Sequence, residues 1–195
     1  MIFVPSGSFN IKDGSDQKTI SIDAFWMSNE ISNKEFRDFF EQLKRTPNDT
    51  ICRIDFSKMK SDKNQKPTII KNSHSEIINR LMSESAWKII PGKKNYFTDP
   101  KYDNDPVVGV TYEGATYYCI WRTNQENEKL RKKGKPTTHN FRLPTELEWE
   151  YASTQIVKGS SCITAGENKT KELIAPDKAS KSIGFRMVKS TFKKK

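Results

Sequence analysis

The sequence is poor in the residues that hold metals and cross-links. Its 195 residues include three cysteines and two histidines. Cys52, Cys119 and Cys162 stand far apart, and no two have the two-residue gap of a zinc or redox motif. An odd number excludes a framework in which every cysteine is paired, although a Cys52–Cys162 bridge stays open in an oxidising compartment. Cys119, inside Tyr117-Tyr118-Cys119-Ile120-Trp121, reads as a small core residue. His74 stands alone in a polar stretch and reads as a solvated loop residue. Long apolar runs are missing too. The longest clean ones resemble Val107-Val108-Gly109-Val110, far below the roughly 20 residues of a membrane span. There is no glycine-rich phosphate loop, no serine nucleophile elbow and no His-Glu-x-x-His. Met1-Ile2-Phe3-Val4-Pro5 lacks the basic start and apolar stretch of a signal peptide. Taken literally this points to the cytoplasm; a chain whose export signal had been removed would begin the same way.

Apolar content is also low. Counted without Tyr and with Gly it is about 35%, against a usual ~45–50%. The core is therefore small or the loops long. Aromatics at 11% exclude a wholly disordered chain, because each buried ring removes much apolar surface from water. A chain of this length makes one ordinary domain or two small ones, and buries enough surface to fold without a disulfide or metal.

Positive charge is what the sequence has in excess: 34 basic against 24 acidic residues, a net +10. From Lys158 to Lys195 there are ten Lys/Arg and three Asp/Glu, a net +7. This segment reads as a solvated tail, or as an attraction to an anionic surface. No basic stripe with interleaved aromatics accompanies it, so no nucleic acid partner is expected.

Periodicity and capping signals divide the chain. Phe3 to Ile11 reads as a strand, a turn and a second strand, with Phe9 and Ile11 on one face. Thr19 to Met27 alternates through Ile20, Ile22 and Ala24 as one half-buried strand. Ser32 with Glu35 fits a capping box, and Phe36, Phe39, Phe40 and Leu43 follow on one helical face. At that spacing the stripe is core rather than a ligand groove. Residues 45–85 read as an insertion with one short helix near Ser75–Met82. Val107–Val110 predicts a buried strand, and Thr111 caps a helix to about Lys132 that stops near Gly134. Ala115, Tyr118, Cys119 and Arg122 share one side of it. Thr145 with Glu148 forms a second capping box, with Leu147, Tyr151 and Ala152 facing inward. Ile183–Val188 predicts a closing strand. Only 31 residues, rich in Ser, Lys, Thr and Gly, separate Ala152 from Gly184.

Five blocks, in order and phase, resemble the formylglycine-generating enzyme family, also called the sulfatase-modifying factor family. They are Phe3-Val4-Pro5-Ser6-Gly7-Ser8-Phe9; Ile22 to Met27 with Glu30 to Phe36; Pro106 to Val110 with Ala115, Tyr118, Cys119 and Trp121; Arg142-Leu143-Pro144-Thr145-Glu146 with Glu148-Trp149-Glu150-Tyr151-Ala152; and Gly184-Phe185-Arg186. The stretch Tyr96 to Pro106, with Trp121-Arg122-Thr123, is similar to the gliding-motility and secretion-associated lipoproteins of that family, which are structural parts of an envelope machine. The resemblance implies an α+β domain, the family's C-type-lectin-like variant, irregular and with long loops. It covers roughly residues 1–40, 87–152 and 183–188. The implied organisation is a single domain over 1–188, with an insertion at 45–85 and a shortened region at 153–182, then a basic tail at 189–195.

The sequence departs from the family between the Glu148-to-Ala152 helix and the closing strand. There the family's enzymes carry a pair of cysteines that bind copper and activate oxygen. Two thiolates suit Cu(I); this segment has one cysteine, Cys162. Relatives that use iron bind it through a histidine cluster, and His74 and His139 have no third partner. Glu146, Glu148 and Glu150 resemble a carboxylate cluster, but positions two apart on a helix diverge by about 200°. The expectation is a non-catalytic binding or scaffolding module, a pseudoenzyme with no catalytic, cofactor or metal residues. Its partner would be a protein or an envelope polymer such as a glycan, and its place periplasmic or envelope-associated. The alternative is a copper-dependent oxidase that converts a sulfatase cysteine to formylglycine.

Overall fold

Strand alternation sorts the residues of Ile2–Val4 and Phe25–Met27, in the N-terminal part of the chain, onto the two faces of the main sheet. The computed structural model describes residues 1–13, 16–55, 68–83, 92–137, 140–155 and 184–191. Strands β1 (Ile2–Val4), β2 (Gly7–Asp13), β3 (Asp16–Ile22) and β4 (Phe25–Met27) come first. Helix α1 (Asn33–Arg45) follows, then β5 (Thr50–Asp55), β6 (Thr68–Ser73) and the one-turn α2 (His74–Ile77). After α3 (Tyr112–Lys132) come β7 (Phe141–Arg142), α4 (Glu146–Gln155) and β8 (Val188–Ser190). The main sheet has the order β1-β4-β8-β7 and is antiparallel throughout; β2–β3 and β5–β6 are separate two-stranded ribbons.

One face of the sheet carries Val4, Phe25, Met27 and Val188, which form a cluster with Tyr151 and Ala152 of α4. Phe9 and Ile22 from the β2–β3 ribbon close that cluster. The opposite face carries Phe141, which joins the larger core beneath α3. That core centres on Phe36, Phe39 and Leu43 of α1 against Tyr117, Tyr118 and Cys119 of α3. Phe36 stacks on Tyr118 with ring centroids 5.8 Å apart, and Trp121 Nε1 donates to Gln42 Oε1 at 3.0 Å.

The caps read from the sequence are in place. Ser32 and Glu35 close a capping box on α1, and Thr111 Oγ1 accepts from Gly114 N at 2.9 Å. Thr145 and Glu148 exchange bonds at the start of α4. Gly134, at φ 63°, follows the end of α3 in the left-handed conformation that glycine adopts freely.

Four expectations need correction. The strand expected from Thr19 to Met27 breaks at Asp23-Ala24 into β3 and β4. Unbroken alternation would put Ile22 and Phe25 on opposite faces; the break lets both reach the α4 cluster. Residues 107–109 are buried and Val110 is partly so, but the segment forms no strand, only isolated bridges from Pro106 to Ser32 and from Val110 to Met82. Gly109 at φ 75° bends the segment off the extended line.

The closing strand is Val188–Ser190 rather than 183–188, so Lys189 and Ser190 are sheet residues. Upstream, Met187 N donates to the Ser28 hydroxyl at 3.0 Å instead of to a backbone carbonyl, so the ladder starts one residue later. Finally, His74 is 7% exposed. Its backbone N–H donates to Asp49 O at 2.9 Å, and its Nδ1 lies 3.1 Å from Thr46 Oγ1. The Thr46 hydroxyl already donates to Gln42 O, so it accepts from the imidazole. Whatever its origin, the 45–85 stretch supplies Ile51, Ile77 and Leu81 to the main core.

Candidate functional site

The thiols are the first test of any redox site. Cys119 lies in the first half of α3 and is 2% exposed. Burial pushes its thiol up to about 12, because an apolar surround disfavours the thiolate. Cys52 is exposed on β5. Its neighbour Ile51 is buried in the core, so alternation turns Cys52 to the other face of the ribbon, away from the core that holds Cys119. A copper held by Cys119 and Cys52 together does not fit: Cys119 is sealed and protonated, and Cys52 faces away from it. Cys162 and His139 lie outside the described residues. Among the described residues no three His, Cys, Asp or Glu side chains gather as metal ligands.

Of the three glutamates, Glu148 is committed to a clamp. Glu148 is held by Arg142 through two bonds, Nη1 to Oε2 at 2.7 Å and Nη2 to Oε1 at 2.6 Å. Thr145 N adds a third donor at 2.8 Å. Burial raises the Glu148 carboxyl, but these bonds together hold it below its ordinary value. Arg142 Nη2 also donates to Ser190 Oγ at 3.2 Å. The Arg-Leu-Pro-Thr-Glu-x-Glu run thus ties β7, the start of α4 and β8 together. The sequence showed the capping half of this arrangement and not the clamp.

Arg186 of the closing Gly-Phe-Arg is likewise a strut. It is 7% exposed, and its Nη1 donates to Ser28 O at 3.1 Å. Burial raises the nearby Glu30 carboxyl, an effect Arg186 partly offsets. Asn33, fully buried at the start of α1, donates from Nδ2 to Tyr96 O at 3.2 Å and to Tyr102 O at 3.0 Å. Arg37 adds a bond to Phe97 O at 2.7 Å and an ion pair with Asp103. The 96–106 loop is therefore pinned to α1 rather than free.

One surface feature was not foreseen. On the sheet face opposite the α4 cluster, Phe3 pairs with Trp26, Trp26 with Lys189, and Lys189 with Phe141. Phe141 is covered by the core under α3, whereas Phe3 and Trp26 are 44% and 40% exposed. Their ring centroids are 5.1 Å apart, tilted by 55°. The available signal was Trp26 itself, an aromatic on the outward phase between Phe25 and Met27.

A small antiparallel sheet with α4 on one face and α3 on part of the other, joined by long loops, defines a mixed α+β domain. A family model described as the sulfatase-modifying factor enzyme 1-like domain matches residues 1–171. The chain belongs to that family. No curated protein matches it.

Proposed function

We propose that this chain is a non-catalytic member of the family, a binding or scaffolding module built on the C-type-lectin-like variant of the fold. Its place is a bacterial envelope assembly of the gliding-motility or secretion kind, and its partner a protein or an envelope polymer. The observation that carries this reading is Cys119. It is a thiol sealed in an aromatic core at 2% exposure, and Cys52 faces the other way on β5. The remaining cysteine, Cys162, has no second thiol within its own segment. The pinned 96–106 loop supports the reading from another side. Three side-chain bonds from α1 to its carbonyls give the surface a fixed shape, which lowers the entropic cost of recognition.

The test is copper analysis of the purified protein together with an oxidation assay on a cysteine-bearing sulfatase peptide. Substoichiometric copper and no turnover are expected. Stoichiometric copper with conversion of the peptide cysteine to formylglycine overturns the reading. Cys162→Ser then separates the cases: loss of a measured activity assigns the chain to the enzymes.

A further inference from the structure

We propose that the Phe3–Trp26–Lys189 ledge binds an anionic polysaccharide strand, with sugar rings stacked on the two aromatics and an acidic substituent paired with Lys189. The inference deepens the binding-module reading and rests on it.

The core does not need this row. The buried face of the same strands is already filled by Val4, Phe25, Met27 and Val188, each at 0–1% exposure. Register puts Phe3, Trp26 and Lys189 in one cross-strand row on the other face, with Trp26 between Phe3 and Lys189. An aromatic face is negative and attracts the slightly positive C–H groups of a sugar ring. The tilt of 55° between the rings sets them as two inclined faces rather than one flat plate.

Size and charge choose the occupant. At 44% and 40% exposure each ring leaves about 100 Å² uncovered. That is well short of the roughly 800 Å² that each partner contributes to a stable protein interface, which argues against a second copy. It is the scale of one or two sugar rings. Lys189, the cross-strand neighbour of Trp26, on a chain of net charge +10, favours a polymer of negative charge.

The experiment is biolayer interferometry of the full chain on immobilised polygalacturonate, with uncharged dextran as reference. Binding to polygalacturonate and not to dextran is expected. Trp26→Ala should raise the apparent Kd about tenfold. Lys189→Gln should raise it about threefold and flatten its salt dependence. Tyr112→Ala, an exposed aromatic at the start of α3, should change nothing. Thermal unfolding checks that each variant is folded. Wild-type tryptophan emission, which needs no substitution, should shift on adding polygalacturonate alone.

Equal retention of wild type and Trp26→Ala would mean attraction by net charge only and overturns the proposal. Equal binding to dextran overturns the anionic assignment. A dimer in sedimentation that Trp26→Ala abolishes, without polymer binding, gives the ledge to a second copy instead. None of these outcomes touches the copper and turnover test, so the two readings fail separately.

Discussion

Asn72 on β6 donates its side-chain amide to the Tyr117 hydroxyl on α3. The bond joins the β5–β6 ribbon to the helix at the centre of the main core. Ile51, paired with Asn72 across the ribbon, is buried against the same core. The ribbon is thus a packed layer of the domain, attached in part through this hydrogen bond and through apolar side chains.

Tyr117→Phe tests that attachment. The ring stays and the hydroxyl goes, leaving the Asn72 amide without this acceptor. A cost of about 1 kcal/mol is expected, a fall of roughly 2–4 °C in the thermal midpoint for a domain of this size. Hydrogen exchange should localise the change, with amides of β6 opening faster while those of β4 and β8 hold. A uniform loss of protection would mean that Tyr117 supports the whole core rather than the ribbon.

Helix caps were legible in the sequence because they are local. Ser32 with Glu35, Thr111, and Thr145 with Glu148 each satisfy N–H groups within three residues of themselves, so no knowledge of the fold is needed to see them. The β5–β6 ribbon was hidden for the opposite reason. Its strands are mostly polar and separated by a long basic stretch. The burial of His74 depends on Thr46, twenty-eight residues away. The ledge escaped because exposure on the outward phase depends on which neighbours cover it: the same row is sealed at Phe141 and open at Trp26. The scarcity of thiols, by contrast, was plain from composition, while the sealing of Cys119 required the packed helices.

Gly114→Ala should destabilise although it improves helix propensity. A Cβ at Gly114 would lie 2.0 Å from Leu81 O, a backbone atom. That carbonyl is fixed by the Thr111 N–H at 3.1 Å and cannot swing aside. The propensity gain of up to about 1 kcal/mol is outweighed by overpacking, which costs ~1–3 kcal/mol in milder cases. The thermal midpoint should fall by several degrees. A rise would show that α3 and the Leu81 turn tolerate separation.

The Arg142–Glu148 pair sets an acid limit on stability. The folded Glu148 carboxyl lies below its ordinary 4.5, so the unfolded chain takes up the proton first as pH falls. The pair's contribution is full above about 4.5 and drains away as pH falls through the folded value. Glu148→Gln should cost about 1–3 kcal/mol at neutral pH and flatten the dependence of the thermal midpoint below pH 4.5. Arg142→Lys should cost nearly as much, because an ammonium cannot reproduce the two parallel bonds.

Cys119 sets the corresponding alkaline limit and bears directly on function. Its folded thiol ionises near pH 12 against an ordinary 9.0, and burial raises the neighbouring Tyr118 hydroxyl as well. The folded state therefore holds protons that the unfolded chain releases. Stability is full below pH 9 and declines above it, by about 1.4 kcal/mol per pH unit for each proton. Cys119→Ala should flatten this decline, and Tyr118→Phe should flatten it further above pH 10. In a Cys52→Ser, Cys162→Ser background, a thiol reagent at pH 8 should label Cys119 only at the rate of unfolding, because it is the thiolate that reacts. Labelling as fast as that of Cys52 in a background where it is the only cysteine would mean an open, ionisable thiol on α3. The argument against a copper site would then lose its main support, since a thiol that deprotonates in the folded chain is one that a soft metal can hold.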